Sequence, residues 1–126
     1  MIRTELTLRL QNSPGALARV CDLLASDRVN ISALMLEPSG VTRFLVDNPV
    51  HAAGMLRQRN YEVVEHEVLF VQTSNRPGAF DTIARMLASA GINLEYVYAT
   101  VPDNQPNAAI IIGVPDAMRA AAAAGL

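Results

Sequence analysis

The chain has 126 residues, a net charge of −2 and a sequence pI of about 5.6. That length allows one ordinary domain or two small ones, and the charge balance supplies no long-range pull on nucleic acid or acidic lipid. A single cysteine, Cys21, excludes an internal disulfide and fits a reducing, cytoplasmic setting, while no apolar run reaches the ~20 residues of a membrane span.

The N-terminus "MIRTELTLRL" alternates instead of presenting the apolar block of a signal peptide. Ile2, Leu6, Leu8 and Leu10 alternate with Arg3, Glu5, Thr7 and Arg9, apart from a slip at Thr4, which predicts a half-buried strand. Pro14 suits the first position of a helix, and Ser13 can cap it by accepting a backbone N–H bond. Ala16, Leu17, Val20, Leu23 and Leu24 then share one helical face, with Cys21 read as a small core residue on that side. "VNISALMLE" and "VTRFLVD" flank the turn signal Pro38-Ser39-Gly40 and read as a hairpin. "NPVHAAGMLRQR" predicts a shorter helix from Pro49, and "YEVVEHE" a fourth strand. The order β-α-β-β-α-β is that of the ferredoxin-like fold, an antiparallel sheet with two helices on one face.

The pattern then repeats. Asn12, Pro14, Gly15 and Ala16 return as Asn75, Pro77, Gly78 and Ala79, and Leu24-Ala25-Ser26 and Asn30 as Leu87-Ala88-Ser89 and Asn93, every pair 63 residues apart. Such a spacing marks a domain duplication, not a solenoid. The second copy predicts the strand "VLFVQT", a helix over 77–90, the strands "INLEYVYATV" and "NAAIIIGV", and a helix over 115–124. Its hairpin is three residues longer, since Pro49 aligns with Pro115 at a spacing of 66 instead of 63. The chain ends where the last strand of the second copy should begin. The expected organisation is therefore α+β, with one unit over 1–65 and a second over 66–126 that lacks its last strand and leaves a sheet edge unpaired. A unit of about 60 residues buries only ~60% of its surface, so the two should sit close, and the edge is expected to be covered by a second subunit, in a homodimer, or by a permuted fold.

Few residues could support catalysis. His51 and His66 have no ligand-spaced partners, the carboxylates are unpaired in spacing, and neither copy has the lysine of a nucleotide loop. No catalytic residue, metal site or cofactor is expected. RNA-binding domains share the element order, but they stack bases on sheet aromatics, and only Phe44, Tyr61, Phe70, Phe80, Tyr96 and Tyr98 are present, none in the first strand.

The repeated motif has a ligand-binding reading. A turn enters a helix whose first N–H groups, at Gly15, Ala16 and Leu17, point outward and suit a carboxylate. Gly allows close approach to the backbone, Asn12 can brace the turn or bind, and Asn30 at the start of the next strand is expected alongside. Amide groups beside an anion site would suit a free amino acid. The same Asn, Pro and Gly residues also suit a plain strand-to-helix turn, and a duplicated turn keeps its turn residues, so the repetition leaves both readings open.

Asn12-Ser13-Pro14-Gly15-Ala16-Leu17 with Val29-Asn30-Ile31, and Asn75-Arg76-Pro77-Gly78-Ala79-Phe80 with Gly91-Ile92-Asn93-Leu94, resemble ACT domains. The resemblance covers nearly the whole chain as a tandem pair without an attached catalytic domain. It implies a non-catalytic regulatory module that binds a small ligand, usually an amino acid, at an interface between ACT domains. The contacts it implies are Asn12, Ser13, Pro14, Gly15, Ala16 and Leu17 with Asn30 and Ile31, and Asn75, Arg76, Pro77, Gly78, Ala79 and Phe80 with Asn93 and Leu94. Arg28 departs from the pattern where the second copy has Gly91, which is expected to reshape the first loop. Arg76 adds a charge absent at Ser13, so the second loop is expected to be the better carboxylate binder. Two other readings stand beside this one. The first is an acylphosphatase-like hydrolase using Asn75 and Arg76, and the second a ligand-free assembly domain that pairs with an enzyme.

Overall fold

In the computed structural model, which describes residues 1–126, the elements run β1 (Ile2–Arg9), α1 (Ala16–Ser26), β2 (Ile31–Leu36), β3 (Val41–Val46), α2 (Pro49–Gln58), β4 (Val64–Ser74), α3 (Ala79–Ser89), β5 (Tyr96–Thr100), β6 (Asn107–Gly113) and α4 (Ala117–Ala124). This is the expected βαββα order written twice, with tandem ferredoxin-like units and antiparallel strands. The two strands predicted over 61–67 and 68–73 are one uninterrupted strand, β4. Contacts divide the chain into an N-terminal unit, Thr4–His66, and a C-terminal unit, Glu67–Leu126 together with Met1–Arg3.

In the N-terminal unit the strands lie in the order β2-β3-β1. The register pairs Leu6 with Phe44 and Leu8 with Thr42, so side chains of one parity point to the helices. Leu6, Leu8, Leu10 and Phe44 meet Val20 and Leu24 of α1 and Ala52, Ala53 and Leu56 of α2. The two alanines let the α2 backbone approach closely, and burying each leucine contributes roughly 1.5–3 kcal/mol. The C-terminal unit is ordered β4-β6-β5. Leu69 pairs with Ile112 and Val71 with Ile110, and this face packs on Ile83 and Leu87 of α3 and Ala117 and Ala120 of α4.

The unpaired edge expected in the second copy is filled by the start of the chain. The Phe70 N–H donates to the Met1 carbonyl at 2.8 Å, and the Arg3 guanidinium lies 3.7 Å from the Phe70 ring centroid. Backbone hydrogen bonding and a cation–π contact thus seat Met1–Arg3 where the missing strand would lie. This assignment is invisible in the local pattern because it joins the first residues of the chain to a strand beginning more than sixty positions later.

Other expectations need correcting. Ser13 makes no capping bond. Gly15 occupies the cap with φ 84°, and the helix begins at Ala16 after Pro14. Gly78, at φ 88°, repeats this geometry before α3. Helix α4 is capped by Asp116, which accepts the Arg119 N–H at 3.0 Å, so Pro115 precedes the helix instead of opening it. Strand β5 begins only at Tyr96, leaving Asn93 and Leu94 in the approach. Arg28 does not reshape its loop: at φ 59° it takes the left-handed conformation that Gly91 takes at 72°. The same closing bonds follow in both copies, Arg28 N–H to Ala25 and Val29 N–H to Leu24, Gly91 N–H to Ala88 and Ile92 N–H to Leu87. Cys21 is half-buried on the flank of α1 rather than in the core. Glu5, expected on the outer face of β1, is fully buried.

Candidate functional site

The first motif forms one wall of a hollow. Strand β1 ends at Arg9, and Arg9 pairs with Val41 at the start of β3, which brings the β2–β3 hairpin to the end of β1. The Leu10 N–H donates to the Gly40 carbonyl at 2.8 Å and Arg9 Nη1 to the Ser39 carbonyl at 2.9 Å, fastening the hairpin there. Leu10, Asn12, Ser13, Gly15, Ala16 and Leu17 on one side and Leu36, Glu37, Pro38 and Gly40 on the other enclose about 460 Å³. Asn12, Ser13, Pro14 and Gly15 are exposed, Leu17 is half-buried and Ala16 is buried. The Ala16 N–H turns back to the Ser13 carbonyl at 3.3 Å, a long bond, so this donor is only weakly satisfied within the turn. Glu37 was not anticipated as a lining residue. The signal was available, since an antiparallel β3 beside β1 must begin where β1 ends.

The second motif is built alike but wired differently. Ser74, Asn75, Arg76, Gly78, Phe80, Asp81 and Val101 line about 300 Å³. Asn75 donates both amide hydrogens to the long β5–β6 hairpin, to the carbonyls of Pro102 at 3.1 Å and Gln105 at 3.0 Å, and its N–H meets the Pro106 carbonyl at 2.9 Å. Asn12 makes no such bonds. Arg76, Pro77 and Gly78 are exposed, Phe80 is 42% exposed, and Ala79 is buried.

The strand-start residues are not beside their own loops. An 11-residue helix separates Asn30 from the first motif, and α3, also of 11 residues, separates Asn93 from the second. Each spans ~16 Å. The Asn30 N–H donates to Asp47 Oδ1 and its carbonyl accepts the Asp47 N–H, both at 3.1 Å, at the far end of α1. Ile31 packs partly buried against the N-terminal core. Asn93 lines a separate hollow of about 300 Å³ with Gly91, Ile92, Val114, Asp116 and Arg119, and Leu94 is 41% exposed. Within one unit a helix therefore holds the two halves of the expected site apart.

His51 is exposed on α2 and its Nε2 lies 2.9 Å from Asp27 Oδ2. No group of three or more His, Cys, Asp or Glu is placed to hold a metal ion. No helix is long and apolar enough to cross a membrane.

Two βαββα units, each with an Asn-x-Pro-Gly turn entering its first helix through a left-handed glycine, define a tandem ferredoxin-like pair with loop-lined hollows. Residues 1–121 match the family model described as an ACT domain pair, and the chain belongs to that family. A solved Bacteroides thetaiotaomicron protein is similar with a TM-score of 0.89 at 25% identity, over 98% of this chain and 86% of that one. The ligand-free regulatory subunit of aspartate kinase from Thermus thermophilus shares the fold with a TM-score of 0.69 at 17% identity, over 99% and 92% of the two chains. The corresponding Thermus flavus subunit does so at 0.69 and 18% identity, over 99% and 94%. No curated protein sequence matches the chain.

Proposed function

We propose that this chain is a non-catalytic regulatory protein that binds a free amino acid through its Asn-x-Pro-Gly loops, at an interface between ACT units. The single observation that supports it best is the N-terminal hollow. Its volume of about 460 Å³ lies within the usual range of small-molecule sites, and it is walled by the exposed Asn12 together with Ser13, Gly15, Ala16 and Leu17. The Arg76 charge still favours a carboxylate at the second loop, but the Asn75 amide is committed to the hairpin there. On that balance the first loop is the stronger binder.

Asn30, Ile31, Asn93 and Leu94 belong to this reading only where two ACT units meet, since a helix separates each from its own loop. That requirement favours a homodimer. The edges open for pairing are β2 and β5, each bonded on one side, with Leu34 37%, Leu36 46% and Val97 46% exposed. Resemblance to aspartate kinase regulatory subunits supports an enzyme as the regulated partner, and the single cysteine suits a reducing cytoplasm. The hydrolase reading finds no support: with both amide hydrogens donated to the hairpin, Asn75 has none left to join Arg76 at a phosphate.

Thermal denaturation against each of the twenty amino acids tests the proposal, because a ligand that binds only the native state must raise the melting temperature. At least one is expected to do so, with light scattering showing a dimer at micromolar concentration. A flat response to all twenty removes the amino-acid reading and leaves the assembly domain.

A further inference from the structure

The N-terminal hollow contains one feature that the amino-acid reading, on which this inference rests, does not use. Of the side chains that line it, Glu37 is the only charged one. Its Oε2 accepts a bond from Arg43 Nη1 at 2.6 Å, yet the side chain remains 39% exposed. Arg43 is only 15% exposed, and its Nε lies 3.8 Å from Oε1 of Glu5, whose side chain is fully buried. The guanidinium is thus held between a buried carboxylate on β1 and the carboxylate at the rim of the hollow. Its charge is divided between them, and Glu37 keeps a fixed position and an accessible face. The C-terminal hollow differs: its charged lining residues are Arg76 and Asp81, and Asp81 is bonded to Arg85 at 2.8 Å.

We propose that Glu37 recognises the ammonium group of the ligand in the N-terminal hollow, with Arg43 as the positioning residue that orients it. A carboxylate held by a charge-assisted bond is pre-organised, and accepting from an ammonium costs it little further ordering. The hollow therefore selects ligands with a free primary amine. A carboxylic acid whose nitrogen is acylated retains its anionic end but keeps one neutral N–H in place of three charged ones, and meets Glu37 with no compensating charge.

Calorimetric titration with the amino acid found in the thermal screen, and with its N-acetyl derivative, tests this. The parent protein is expected to bind the free amino acid at least tenfold more tightly than the acetylated one. Glu37→Gln, nearly isosteric and uncharged, is expected to weaken the free amino acid about ten- to a hundredfold and to leave the acetylated one within a few-fold. Equal binding of the two ligands by the parent overturns the assignment, whatever the stability of the variant. So does a folded Glu37→Gln protein that binds the free amino acid like the parent. If no amino acid binds the parent, the functional reading and this assignment fall together, an outcome distinct from the other two.

Discussion

The two loops share Asn, Pro and Gly in the same register, yet Asn12 faces an open hollow while Asn75 is tied to three carbonyls of a neighbouring hairpin. The difference comes from elsewhere in each unit. In the N-terminal unit the short turn Pro38-Ser39-Gly40 closes onto β1 through Gly40, leaving the Asn12 amide uncovered. In the C-terminal unit the longer hairpin reaches the loop and provides carbonyls for Asn75. A duplicated motif thus keeps its backbone and changes its task when a loop of different length folds over it.

If the copies are equivalent scaffolds, matched core truncations should cost the same. Leu24 and Leu87 occupy the same repeat position and are each 1% exposed. Leu24→Ala and Leu87→Ala are each expected to lower stability by about 2–5 kcal/mol in denaturant titrations. Losses that differ by more than about 1.5 kcal/mol would show that the units do not share one packing plan.

The hairpin seat separates the copies next. Gly40 has φ 94°, and a β-carbon there would overlap the Leu10 carbonyl oxygen. Gly40→Ala combines backbone strain with a steric clash and is expected to cost about 2–4 kcal/mol. Gly78→Ala, at φ 88° but with open space around it, should cost only about 1–2 kcal/mol from strain. Comparable losses would mean that the short hairpin yields instead of clashing.

A smaller effect addresses the loops directly. Asn75→Ala removes two hydrogen bonds to the hairpin and is expected to cost about 1–2 kcal/mol. Asn12→Ala should change stability by less than about 0.5 kcal/mol and instead weaken amino-acid binding. The reverse pattern, measured by melting and calorimetry on both variants, would exchange the roles assigned to the loops.

The smallest expected effect tests where the copies agree. Arg28 and Gly91 share the left-handed helix stop, which costs a side chain roughly 1 kcal/mol. Arg28→Gly should raise stability by up to about 1 kcal/mol and Gly91→Ala should lower it by a similar amount. A loss from Arg28→Gly would reveal that the arginine side chain, and not the backbone, holds that corner.

By themselves the residues determine the element order, the duplication and the family. Those rest on local periods, on turn residues and on a spacing of 63 that needs no folding to be seen. The candidate loops were legible for the same reason: Gly15 and Gly78 stand where a strand pattern gives way to a helix pattern. What surrounds the loops was not. Glu5 reads as an outward residue of an alternating strand, and only the packing around β1, with Arg43 nearby, makes it buried. The expectation that Asn30 lies beside its loop ignored the length of α1, which a backbone rising 1.5 Å per residue turns into a physical separation. Met1–Arg3 replacing a missing strand, Glu37 joining the first hollow and the Asn75 amide turning to the long hairpin are all contacts between segments far apart in the chain. Hydrogen bonds and charges act over a few ångströms of space, and only the tertiary structure decides which residues come that close.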